Sequence, residues 1–162
     1  MNALELLTRQ HDEVKELFAR YEKLPDHADA RRRELFVMIA DRLGAHTTLE
    51  EQYFYPAAKA RDTEDQLREA VEEHLSAKRI IADLLEMEPG APEFDAKMMV
   101  LKEQVEHHVE EEEDDLFKKV RKLLSREALD DLGIQMELEF EDLMEAEPRR
   151  QVPEQTDHAA PL

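Results

Sequence analysis

The chain has 162 residues, 39% of them charged, with a formal net charge of −19 and no cysteine. That length suits one domain with a real core; the charge repels phosphate backbones, which argues against a nucleic-acid partner, and it attracts cations. Without thiols there is no disulfide, no cysteine-held zinc site and no iron–sulfur cluster, so a bound metal must be held by His, Asp, Glu or Tyr.

Three glycines, no tryptophan and an abundance of Leu, Glu, Ala, Lys and Arg point to an all-α fold. The first predicted helix runs from about Asn2 to Leu24, with an apolar stripe of Leu4, Leu7, Val14, Phe18 and Tyr21, and stops at Pro25. The second covers about Ala28 to Arg61 with Phe36, Ile39, Leu43, Phe54 and Ala57, and Pro56 is expected to end or kink it at Tyr55. The third spans about Asp62 to Met87 and is broken by Glu-Pro-Gly-Ala-Pro; the fourth runs from about Glu93 to Leu124. Short connections between long helices make neighbours antiparallel, so residues 1–124 are expected to form an up-down-up-down four-helix bundle. Ser125 is placed to cap a further helix over 125–146, with Leu129, Leu132, Met136, Phe140 and Leu143 packing on the bundle. Residues 147–162, with three prolines and few apolar side chains, read as a disordered tail.

No basic segment followed by an apolar stretch opens the sequence, and no apolar run approaches about 18 residues. The expectation is a soluble cytoplasmic protein, a monomer or weak homodimer with no membrane partner.

Each bundle helix has a gap in its stripe, and a histidine fills it: His11 between Leu7 and Val14, His46 three after Leu43, His74 three after Val71 and His108 three after Val105. A lone inward histidine is ordinarily a core residue; one from every helix points to a shared ligand. Glu50 and Glu112 lie four residues after His46 and His108, one turn along on the same face, and a buried carboxylate demands a cation. At about 1.5 Å per residue, counting from the interhelical turns brings Glu50, His74 and His108 to within roughly 3 Å of one level, with His11 and His46 further apart. The segment from His46 (HTTLEEQYFYP) recurs from His108 (HVEEEEDDLFK), with Glu at the fourth and fifth following places and an aromatic at the ninth. The repeat selects His108 over His107, which lies about 100° further round; His107 stays a candidate ligand or neighbour of the site. Glu110, Glu111 and Glu113 read as a solvated face. Tyr53, three after Glu50, is a candidate extra ligand or hydrogen-bond donor.

Four imidazoles and two carboxylates suit a pair of borderline metals with the glutamates bridging; iron is favoured, and zinc or manganese fits the same donors. No histidine has a Glu three residues before it, which disfavours the ferritin-like di-iron pattern. The motifs LLTRQHDEVKELF, HTTLEEQYFYP, EEHLSAKRII and HHVEEEEDDLF together resemble those of the hemerythrin-like, HHE cation-binding family over about residues 3 to 124. The resemblance implies two iron ions with an oxo or hydroxo bridge, held by His11, His46, Glu50, His74, His108 and Glu112. It also implies a function of binding or reacting with O2, peroxide or NO in stress response, sensing or iron handling. Oxygen-carrying members have His-x-x-x-His on the third helix, where this chain has His74 followed by Lys78, and His-x4-Asp on the fourth, where it has His108-x3-Glu112. The pattern is closer to iron-repair and stress-response members, and catalase-like turnover would be a separable property. The reading from another class is a metal-free or zinc-stabilised interaction module acting through its acidic surface or fifth helix.

Overall fold

The structure is a computed structural model and describes residues 1–162. Helix α1 spans Ala3–Glu22 and begins in a reciprocal cap: Asn2 Oδ1 accepts from the Glu5 amide and Glu5 Oε2 from the Asn2 amide. α2 (Asp29–Leu49) runs on through a π-helical turn, Glu50–Phe54, into α3 (Tyr55–Ala58). α4 covers Glu64–Leu85; α5 (Pro92–Glu111) continues through a second π-turn, Glu112–Leu116, into α6 (Phe117–Leu123). The antiparallel pairs α1/α2 and α4/α5 pack together as an up-down-up-down four-helix bundle without strands. Pro56 does not break the second helix. It falls in the first turn of α3, after the π-turn has already displaced the hydrogen-bond ladder, where its missing N–H forfeits nothing.

The apolar core lies in two parts. One gathers Val14, Phe18, Phe36, Ile39, Ile81, Phe94 and Leu101; the other gathers Leu7, Leu49, Phe54, Leu67, Leu116 and Val120. Among the polar side chains buried in the same bundle are the histidines and glutamates predicted to face inward. α7 (Arg126–Glu145) starts where Ser125 Oγ accepts from the Ala128 amide, and it lies against α1 and α2 through Leu129 and Met136. At Gly133 the backbones nearly touch: a Cβ there would sit 2.4 Å from the Met1 carbonyl oxygen.

The expected disordered tail is ordered. Glu147 adopts the left-handed conformation at φ 54°, turning the chain back into a 3-10 helix, Pro148–Gln155, that lies across α2 and α4. Its few apolar groups are well placed, since Pro148 and Val152 are buried. Arg149 pairs with Asp41 through its guanidinium at 2.9 Å and its amide at 3.0 Å, and Arg79 donates to the carbonyls of Thr156 and Asp157. Average composition misses this because one valine and two arginines carry the docking, while the prolines pre-set the φ that a 3-10 turn needs. No helix is long and apolar enough to cross a membrane.

Candidate metal centre

The four inward histidines arrive in pairs. His11 Nε2 lies 3.2 Å from His46 Nε2, and His74 Nε2 lies 3.2 Å from His108 Nε2. Between the pairs stands Glu50, whose Oε1 is 3.0 Å from His46 Nε2, 3.1 Å from His74 Nε2 and 3.7 Å from His108 Nε2. Glu112 Oε1 is 3.3 Å from His11 Nε2 and 3.4 Å from His108 Nε2. Two donor groups result, His11–His46–Glu50–Glu112 and Glu50–His74–His108, all buried and sharing Glu50.

The outer nitrogens are all engaged. Nδ1 of His11 meets Glu113 at 2.8 Å, that of His46 meets Gln10 Oε1 at 2.7 Å, that of His74 meets Glu51 at 2.7 Å and that of His108 meets Glu73 at 2.8 Å. A carboxylate only accepts, so Nδ1 carries the hydrogen and Nε2 is the atom free to offer a lone pair to the centre. Meanwhile Glu50 Oε2 and Glu112 Oε1 are buried and accept no hydrogen bond. Two buried carboxylates beside convergent imidazole nitrogens, each with an unpartnered oxygen, fit a bound cation, because a buried anion left bare costs several kcal/mol.

Without a cation, protons balance the charge. Burial disfavours charge on His11, yet the Glu112 carboxylate beside its Nε2 and the hydrogen bond from its Nδ1 to Glu113 outweigh that and push its pKa up to about 9. His74 and His108 are raised likewise, burial again being overcome, by Glu50 and Glu51 for the former and Glu112 and Glu50 for the latter. Glu50 is held well below the usual carboxylate range, its burial offset by His46, His108 and His74.

Both π-turns begin at a bridging candidate, Glu50 or Glu112. The extra residue rotates the downstream side chains by about 100° relative to an unbroken α-helix, a device found at functional sites. Tyr53 consequently lies away from the centre, 3.3 Å from Glu139 on α7. Tyr55 takes the inward place: its hydroxyl donates to Glu112 Oε2 at 2.7 Å, lies 3.2 Å from His74 Nε2 and stacks its ring on His74. At the equivalent place of the repeat Phe117 stacks on His11. Burial and the neighbouring Glu112 and Glu50 carboxylates push the Tyr55 phenol well above its usual pKa, so it remains a donor.

All six predicted ligands, His11, His46, Glu50, His74, His108 and Glu112, meet at this centre. His107 does not; its side chain is 64% exposed and pairs with Glu111 at 2.9 Å. Glu113, expected on the solvated face, instead anchors His11. Tyr55, Glu51, Glu73 and Gln10 escape a reading by periodicity, although the repeat carries a signal: Glu51 and Glu113 each follow one of the inward glutamates, and Gln10 and Glu73 both precede a histidine. Lys78, one turn beyond His74, is 5% exposed and gives its ammonium to both oxygens of Glu51 at 2.9 Å rather than to the centre.

A helical bundle enclosing a His/Glu cluster of this kind defines a metal-binding class. The hemerythrin HHE cation binding domain matches residues 2–120, and the chain belongs to that family. A DNA nickase from Nostoc sp. is 31% identical over 127 residues, covering 78% of this chain and 36% of its own length, so the chain spans about a third of that relative. The crystal structure of a hemerythrin HHE cation binding domain-containing protein from Mycobacterium kansasii superposes with a TM-score of 0.80 at 23% identity, over 93% of this chain and 98% of that one.

Proposed function

We propose that the chain is a non-haem di-iron protein that binds or reacts with a small oxidant or diatomic: O2, peroxide or NO. The observation that carries this is the convergence of four Nε2 atoms on two buried carboxylates, each of which keeps one oxygen, Glu50 Oε2 and Glu112 Oε1, without a hydrogen bond. His11 and His46 would hold one ion and His74 and His108 the other, with Glu50 and Glu112 spanning them; the mixed imidazole and carboxylate set without thiolate suits iron. Bound there, an iron pair supplies Lewis acidity and two electrons. The protein's own groups do the rest. Gln10, Glu51, Glu73 and Glu113 fix the imidazole planes, and Tyr55 keeps a proton at its hydroxyl against Glu112, within the centre.

A cavity of about 40 Å³ adjoins the four histidines. One water needs roughly 10–15 Å³, so a diatomic or hydrogen peroxide has room. A net charge of −19 opposes a phosphate backbone, which speaks against carrying the Nostoc relative's DNA nicking over to this chain.

The test is metal analysis and absorption spectroscopy of protein purified from iron-rich culture. About two irons per chain with oxo-bridge charge-transfer bands are expected; fewer than about one, without those bands, overturns the reading. Oxygen release from peroxide, compared between wild type and Glu112→Ala, separates turnover from binding.

A further inference from the structure

The cavity beside the histidines is walled by Val14, Leu43, Ile81, Val105 and Val109 from the bundle helices. Ala77 of α4 adds to that wall, and Val152, which is 1% exposed, reaches it from the 3-10 segment after α7. The segment can lie this close because α2 carries Gly44 beneath it: a Cβ there would already meet the Pro148 carbonyl at 3.3 Å. It is fastened at the surface by Arg149 on Asp41 and by Arg79 on the carbonyls of Thr156 and Asp157. Gln10 also lines the cavity, and its Nε2 is a buried donor with no partner in the protein. The four bundle helices supply most of the chamber's lining, and a separate strap adds Val152.

We propose that Val152 sets the size of the ligand that reaches the metal centre, a role that rests on the small-oxidant reading above. Closed by the valine, the chamber takes a diatomic or hydrogen peroxide and excludes an alkyl hydroperoxide. Val152 is not itself one of the candidate donors, so its substitution changes access without removing a ligand. A hydrophobic wall discriminates ligands by the volume it denies them, and removing two methyl groups from a wall changes such preferences by about tenfold or more.

The experiment uses the full chain with Val152→Ala. In metal-free protein, xenon-induced NMR shifts of the Val14, Ile81 and Val105 methyls are expected to grow over wild type, because xenon settles against apolar walls where volume allows. In iron-loaded protein, the ratio of hydrogen peroxide to tert-butyl hydroperoxide consumption is expected to fall about tenfold or more. Should Val152→Ala disturb the fold, Arg149→Ala loosens the strap from its surface anchor and is expected to move both readouts the same way. A xenon response equal to wild type overturns the proposal whatever the iron content, and so does an unchanged peroxide ratio in loaded protein. Failure of the di-iron reading would show separately, as wild-type protein that takes up no iron while the xenon result stands.

Discussion

His11, His74 and His108 can each hold either a proton or a metal, and the carboxylates around them favour both. His11 titrates near 9 in the metal-free protein and His74 and His108 above their usual 6.5. A folded-state pKa above the unfolded value stabilises the fold fully below about 6.5, and that contribution is lost as pH rises through about 9 for His11. Metal-free protein should therefore lose thermal stability between those two values. Metal must displace the same protons, so its affinity should rise over the same window. Calorimetric metal titrations in buffers of differing ionisation enthalpy are expected to show proton release at pH 7, and none would contradict the assignment. The tyrosines give a sharper contrast. Tyr55→Phe removes the donor on Glu112 Oε2 and is expected to cost about 1.5–3 kcal/mol in urea unfolding of the metal-free protein. Tyr53→Phe removes only a 3.3 Å contact to Glu139 and should stay within about 0.5 kcal/mol.

Helical periodicity carries the reading of the elements as far as the π-turns and no further. Up to Glu50 and Glu112, steps of three and four residues name the inward side chains correctly, because an unbroken α-helix keeps its phase. Beyond them one inserted residue shifts the phase, which is why Tyr53 looks inward by counting and Tyr55 is inward in fact. The carboxylates that anchor the imidazoles are hidden differently: Glu51, Glu73 and Glu113 sit at the edge of the core, partly exposed, and periodicity alone cannot separate them from the solvated acids beside them. The last segment is hidden because a single buried valine does not register in composition. Packing of α7 has its own test. Gly133→Ala would drive a methyl into the backbone of residues 1–3, so α7 must shift, at an expected cost of about 1–3 kcal/mol measured by denaturant unfolding.

Across the whole molecule, the donors are divided between the two halves of the internal repeat. Residues of the first hairpin, His11, His46 and Glu50, are completed by Glu112 of the second, whereas His74 and His108 of the second are completed by Glu50 of the first. Neither hairpin can build a full set alone. With metal bound, hydrogen exchange of core amides near the centre, such as Leu49 and Val71, is expected to slow by the ratio RT ln(1 + [L]/Kd) implies, and removal of Glu50 by Glu50→Ala should abolish that protection. A chain without a single cysteine would thus gain a cross-link after all. On the proposed reading the ions would join positions about a hundred residues apart, so parting the two hairpins would break both donor groups at once.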